Sequence, residues 1–257
     1  MKTIMGVSLI SIPYSFSRTG ILLSIIMFLF VAVVCQFTLA LCLKCKNLSR
    51  HSNFTTIIYH IYEHKLIKIV PSLAIICVGS GACIGEIIIL KQGIRKIVES
   101  FVDPQSDVLN QFYLSSSFFA LAIGLMQIPV AIVKKIEKLR YMAFLGVIGI
   151  IVFLVSFLVH FFLSLEGDRW CRNDVVFFND NLFEIASVLP NFIFALAIHP
   201  NIFPTYKGIE KTSDRKMKTA SLSGLMGAIA LCSIFGSAGY CLAGHDAKGN
   251  FLLNLLK

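Results

Sequence analysis

The sequence predicts an all-α membrane protein that crosses the bilayer several times. Two observations predict this class. Hydrophobic residues make up 56% of the 257 positions and charged residues only 14%, whereas an ordinary soluble domain has about 25% charged residues. The apolar residues are also gathered into runs that match the roughly 20 residues a helix needs to cross the hydrocarbon core.

Seven apolar segments are expected to enter the membrane, and each is predicted to be helical. Six of them contain no charged residue, although the first of these is short, and the third contains only Glu86. In chain order the segments cover residues 3–17, 22–43, 69–90, 112–133, 141–165, 185–206 and 219–243.

The basic residues of the loops predict the orientation. When successive loops are assigned to alternate sides of the membrane, one side carries fourteen Lys and Arg residues and the other side seven. Cytosolic loops carry the excess of basic residues, so the amino terminus is expected in the cytosol and the loop before the sixth segment outside it. The net charge of +9 therefore reflects topology and attraction to the lipid bilayer, and we expect no nucleic-acid partner.

The sixth segment contains the most informative stretch, LPNFIFALAIHPNIFPTYKG, at residues 189–208. Pro200 and Pro204 have no N–H to donate to the preceding turn, so the helix is predicted to open over residues 197–203. Backbone groups left unpaired at membrane depth usually line a cavity in which a solute replaces the missing hydrogen bonds. His199 lies within this gap, and two interpretations of it stay open: a contact with the solute and a structural cap on the broken helix.

The first segment is interrupted in a similar way, by Gly6 and Pro13. Interrupted helices in corresponding positions are typical of transporters built from inverted repeats, which bind their substrate between them near the midplane. We expect free amides of the first helix to hold the carboxylate of an amino acid, and carbonyls of the sixth to accept from its ammonium. The candidate substrate-binding residues are Met5, Gly6, Val7, Ser8, Phe194, Ala197, Ile198 and His199. A secretory signal is the alternative interpretation of the first segment, although Tyr14 and Phe16 crowd the cleavage region.

Three stretches of the chain carry a family resemblance. They are IMGVSLISIPYSFSRTG at residues 4–20, IPVAIVKKIEKLRYMAFLG at residues 128–146 and FALAIHPNIFPTYKGIEKTSDRKMKTAS at residues 194–221. In their residues and in their order along the chain they resemble signatures of the amino acid/auxin permease family, and within it those of the sodium-coupled neutral amino-acid transporters. The resemblance implies a leucine-transporter-type fold of inverted repeats in which helices 1 and 6 are broken. It also implies secondary active transport of amino acids, with Na⁺ or H⁺ as the coupling ion and no other cofactor, in a plasma, lysosomal or vacuolar membrane.

We interpret residues 1–257 as a single membrane domain. Residues 1–165 would form the first five-helix repeat, and residues 182–257 the first two helices of the second repeat. The family has eleven helices and usually an asparagine where Lys2 stands, so the chain is expected to be truncated and to lack the eighth helix, which completes the family's sodium site. Two alternatives therefore stay open: a fragment that does not transport, and an amino-acid sensor on a transporter scaffold.

Other functional classes lack their motifs in this sequence. There are no paired carboxylates, no Ser-His-Asp set and no phosphate-binding glycine loop at polar membrane positions, so an enzyme is not expected. A metal site is not expected either, because the pair formed by Cys42 and Cys45 has no second pair of ligands. Cys171 lies in an outer loop, where oxidising conditions allow a disulfide and Cys241 is its candidate partner.

Overall fold

The computed structural model describes residues 8–64, 67, 69–101, 116–132, 140–164, 171–172, 174–208 and 213–255, and within these ranges every regular element is helical. The α-helices are α1 (Ser8–Thr19), α2 (Ile21–Ser49), α3 (Phe54–Tyr62), α4 (Ile69–Phe101), α5 (Ser116–Ile132), α6 (Arg140–Leu163), α7 (Leu182–Ala195), α8 (Ile202–Gly208), α9 (Asp214–Ala243) and α10 (Leu252–Leu255). Two short 3₁₀ turns cover His199–Asn201 and Gly244–Asp246.

Five of the described spans are long and apolar enough to cross a membrane. They are Ile21–Ser49, Ile69–Glu99, Phe144–Leu163, Leu182–Gly208 and Asp214–Asp246. These spans agree with the second, third, fifth, sixth and seventh predicted segments. The other two predicted segments correspond to α5, a shorter apolar helix, and to α1, which has 12 residues. The prediction of an all-α, polytopic membrane protein is confirmed.

The core lies between α1, α2, α7 and α9, with α6 packed against α9. Aromatic side chains dominate it: the Phe28 and Phe192 rings meet edge to face with centroids 4.8 Å apart, and those of Phe157 and Phe235 meet at 4.6 Å. Such ring pairs contribute about 0.5–1.5 kcal/mol beyond the area they bury. In contrast, α4 and α6 present rows of exposed Ile, Leu and Val side chains, as expected for helices that face lipid.

Pro13 does not interrupt α1, so this part of the prediction was wrong. The helix continues from Ser8 to Thr19 with Pro13 inside it. A proline removes one hydrogen bond and adds a ring that needs room, and the room is supplied by α9, where a Cβ at Gly239 would lie 2.6 Å from Pro13 Cγ. The other expected interruption, at Gly6, lies outside the described residues.

Candidate functional site

The sixth predicted segment is broken in the structure. α7 ends at Ala195, residues 196–198 are not helical, and α8 begins at Ile202 after the 3₁₀ turn. The predicted break is confirmed, although it starts one residue earlier than expected and ends before residue 203. Pro200 explains its position, because the missing N–H leaves the Leu196 carbonyl without the partner that a continuous helix would give it.

The backbone groups of the break are not all free. The Ile198 carbonyl accepts a hydrogen bond from the Asn201 amide at 3.1 Å, and the Ala197 amide donates to the Phe194 carbonyl at 3.2 Å. No donor among the described residues reaches the Ala197 carbonyl oxygen. Of the two carbonyls that the sequence proposes for an ammonium group, that of Ala197 is therefore the more open.

Helix α2 contacts the break with two polar side chains. The Cys35 thiol donates to the Leu196 carbonyl at 3.6 Å, and Thr38 Oγ1 lies 2.6 Å from His199 Nε2. Cys35 is 5% exposed and Leu196 is fully buried. The half-buried His199 is thus joined to α2, an arrangement that fits its interpretation as a structural cap.

The beginning of α1 lies level with the break. α1 and α7 run antiparallel and touch at two polar contacts. These join Arg18 Nη1 to Glu184 Oε1 at 3.3 Å and Asn191 Nδ2 to Ser15 Oγ at 3.1 Å. Ser8 precedes Ser15 by seven residues, about 10 Å of helix, and Ile198 follows Asn191 by the same number. The register therefore places the start of α1 opposite the opened backbone.

The structure describes five of the eight candidate substrate-binding residues. Ser8 is buried at the beginning of α1, and Ala197, Ile198 and His199 are half-buried at the break. Phe194 is 42% exposed. The remaining three, Met5, Gly6 and Val7, lie outside the described residues.

A polar cluster ties together the ends of three helices that are predicted to face the cytosol. Asp214, the first residue of α9, lies at its centre and accepts from Lys46 Nζ at 3.0 Å, from the Tyr206 hydroxyl at 3.1 Å and from the Asn47 amide. Lys46 Nζ also lies 3.6 Å from the centroid of the Tyr206 ring, a cation–π contact. The cluster fixes the end of α2 to α8 and to the start of α9.

The opposite ends of the helices are joined by the outer loop, residues 174–181. The Leu22 amide donates to the Phe177 carbonyl at 2.9 Å, and the Asn179 amide donates to the Thr19 carbonyl at 3.0 Å. Gly20, between α1 and α2, has φ 86° and lies against the backbone of Phe177, where a Cβ would be only 2.7 Å from the carbonyl. The outer loop therefore covers the α1–α2 turn.

Cys171 and Cys241 form a disulfide just before the outer loop, as the sequence predicts. Disulfides persist in oxidising compartments, so this pairing is compatible with the predicted orientation, in which this end of the bundle faces away from the cytosol. Nearby, the His245 amide donates to the Asp174 carboxylate at 3.0 Å. This hydrogen bond, together with the Arg172 guanidinium, outweighs partial desolvation and holds the pKa of Asp174 below its ordinary value.

Comparison with known proteins decides the family. A family model described as "Transmembrane amino acid transporter protein" matches residues 1–257. The chain belongs to this family. Membership confirms the family resemblance. Together with the described spans, it identifies the chain as a multi-pass integral membrane protein.

Curated relatives of this family member are similar at low identity. Vacuolar amino acid transporter 7 of Saccharomyces cerevisiae is 26% identical over 99% of the chain and 50% of the relative. Vacuolar amino acid transporter 5 of Schizosaccharomyces pombe is 22% identical over 98% of the chain and 58% of the relative. Sodium-coupled neutral amino acid symporter 2 of Danio rerio is 21% identical over 91% of the chain and 51% of the relative.

The chain spans about half the length of the curated relatives it matches. These relatives are transporters by name, in agreement with the expectation that the family member is not an enzyme. No solved structure matches the chain.

Cys35 and Thr38 are site residues that the sequence reasoning missed. Cys35 lies in an apolar run, where a cysteine is usually a small core side chain, and Thr38 carries no motif. The useful signal was Pro200: counting back four residues identifies the Leu196 carbonyl as the group that needs a donor from another helix.

Proposed function

We propose that the chain forms part of a secondary active transporter that moves neutral amino acids across a membrane by ion-coupled alternating access. The observation that carries the proposal is the break at residues 196–198, inside an apolar span and level with the start of α1. Family membership supports amino acids as the transported class.

The substrate would lie between α1 and the break. An amino acid is a zwitterion, so its site needs donors for the carboxylate and acceptors for the ammonium. The amide of Ser8 at the start of α1 would supply a donor, together with those of Gly6 and Val7, which the sequence predicts for this role. The Ala197 carbonyl, with a second lone pair of the Ile198 carbonyl, would supply the acceptors.

A neutral side chain fits the surroundings of this site. Apolar core residues lie on both sides of it, and include Leu9 on α1 and Ala195 and Leu196 at the end of α7. A buried charge without a partner is costly at membrane depth. The described part of the site therefore favours substrates whose only charges are the α-carboxylate and α-ammonium.

We further propose Na⁺ or H⁺ as the coupling ion and a vacuolar, lysosomal or plasma membrane as the location. The names of the yeast relatives support a vacuolar membrane, and the name of the Danio rerio relative supports sodium coupling to neutral amino acids. The inverted-repeat fold, with residues 1–165 and 182–257 in successive repeats, belongs to the same proposal.

Uptake into sealed vesicles tests the function. Purified protein is reconstituted into liposomes, and entry of radiolabelled neutral amino acids is measured under an inward sodium gradient, a proton gradient or neither. We expect accumulation under one of the two gradients and its loss when an ionophore collapses that gradient. Facilitated entry that ignores both gradients would contradict ion coupling, and a lack of entry under every condition would contradict transport by this chain.

A pair of matched variants tests the location of the site. Ala197→Leu adds bulk at the opened backbone, and Gly6→Leu adds bulk at the candidate site residue of the first segment. Ala74→Leu makes the same change as Ala197→Leu on the exposed surface of α4. We expect the first two variants to lose uptake while remaining folded and the third to transport normally. Normal uptake by Ala197→Leu and Gly6→Leu would contradict the site.

A further inference from the structure

Two side chains of α2 meet the break in register. Cys35 contacts Leu196 and Thr38 contacts His199. The two contacts are therefore three residues apart both on α2 and along the break. Residues three apart lie on one face of a helix. One face of α2 therefore runs alongside the opened backbone and holds it at two points.

The first point satisfies the carbonyl that the proline leaves behind. In a continuous helix the Leu196 carbonyl would accept from the amide of residue 200, but that residue is a proline. Leu196 is fully buried, where an unpaired carbonyl would carry its full desolvation cost. The Cys35 thiol supplies the missing donor at 3.6 Å.

The second point holds the histidine ring by a group that can either donate or accept. Thr38 Oγ1 lies 2.9 Å from the Val34 carbonyl and 2.6 Å from His199 Nε2. A hydroxyl has one hydrogen and two lone pairs. It can donate to its own helix and accept from Nε2–H, or donate to an unprotonated Nε2, so the contact survives in either neutral tautomer.

We propose that Cys35 and Thr38 are positioning residues that hold the break in the shape required to bind substrate. The inference rests on the proposed function, because it takes the opened backbone as the substrate site. Leu196 is fully buried and its carbonyl already accepts from the thiol, so we assign it no contact with the ammonium. The Ala197 carbonyl, between the two fixed points, is the main acceptor presented to it.

Kinetics of isosteric variants test the role of Thr38. Thr38→Val keeps the shape and removes the hydroxyl, and Thr38→Ser keeps the hydroxyl. We expect Thr38→Val to raise KM for the amino acid by about 2–10-fold, the equivalent of one hydrogen bond, while maximal velocity and melting temperature change little. Thr38→Ser should restore the wild-type KM. A KM that is unchanged in Thr38→Val, or equally raised in Thr38→Ser, would overturn the proposal.

A double-mutant cycle ties the effect to the histidine. If Thr38 acts through His199, then Thr38→Val should raise KM in the wild type and have little further effect in His199→Ala. Effects that multiply independently would overturn the coupling. Cys35→Ala and Cys35→Ser form the second pair, in which only the serine keeps a donor for the Leu196 carbonyl, and a raised KM is expected in the alanine variant alone.

Hydrogen–deuterium exchange gives a readout that does not depend on transport. Loss of either fixed point should speed exchange of the amides at residues 196–199, 201 and 202, while exchange in the middle of α9 stays unchanged. Unchanged exchange in Thr38→Val and Cys35→Ala would overturn the positioning role. If the wild type takes up no amino acid, the proposed function fails, and the exchange data still decide whether α2 holds the break.

Discussion

The packing of α1 against α9 predicts that Gly236→Ala destabilises the protein, although alanine is the better helix former. A Cβ at Gly236 would lie 2.6 Å from the Phe16 ring and 2.7 Å from Ile12 Cγ2. Both neighbours are fully buried, so neither side chain can turn into free space. The two helices would have to separate instead.

The size of the effect follows from the contact distances. Non-bonded carbons pack at about 3.5–4.0 Å, so relief requires a shift of about 1 Å in a packed core, a change that typically costs about 1–3 kcal/mol. The higher helix propensity of alanine offsets up to about 1 kcal/mol of this loss of stability. Gly224→Ala is the matched control, because it lies on the same helix and a Cβ there would meet nothing within 4 Å. The difference between the two variants therefore isolates the steric cost.

Thermal melting of the purified protein in detergent measures this difference. A cost of about 1–3 kcal/mol corresponds to roughly 2–12 °C for a chain of this size, with Gly236→Ala melting below Gly224→Ala. Phe16→Leu, introduced as a second change, should recover part of the loss because it removes the ring atoms nearest to the new Cβ. Equal melting temperatures for the two alanine variants would refute the close approach of α1 and α9.

Three further predictions concern the ends of the bundle. Cys171→Ser should lower the free energy of unfolding by up to about 4 kcal/mol, because the disulfide closes a loop of 70 residues. Cys241→Ser and the double variant should melt at the same temperature as Cys171→Ser. Additive losses in the double variant would contradict this. Asp174→Asn should lower the melting temperature near neutral pH, because the lowered pKa makes the ionised carboxylate a stabilising group; the difference should fade as the pH drops below about 4, and a difference that grows in acid would argue against it. Asp214→Ala should lower the free energy of unfolding by about 1–3 kcal/mol through the loss of charged hydrogen bonds. In a double-mutant cycle with Lys46→Met, followed by thermal melting, the double variant should lose less stability than the sum of the two single variants. Strict additivity would refute the interaction between Asp214 and Lys46.

The sequence predicted the helical class and the broken helix, because both depend on local properties. Pro200 removes a hydrogen bond wherever the rest of the chain lies, and the apolar runs have the length of a bilayer crossing. The loop charges place Cys171 and Cys241 on the same side, which made Cys241 the candidate partner that the structure confirms.

The behaviour of Pro13 could not be predicted in this way. Pro13 and Pro200 both lie in apolar segments, yet α1 continues through the first and the second ends a helix. The difference comes from neighbours: Gly239 on α9 leaves space for the Pro13 ring. Likewise, the contact between Thr38 and His199 joins residues 161 positions apart, and no pattern within either segment indicates it.

The outer loop has a mechanical consequence. It fastens the outer ends of α1 and α2, while the disulfide beside it fastens the end of α9, so a tilting α9 would pivot about its outer end. The 30 residues of α9 extend about 45 Å. A rotation of only about 10° would then carry Asp214 through roughly 8 Å on that lever arm, enough to part it from the lysine and tyrosine at the far end.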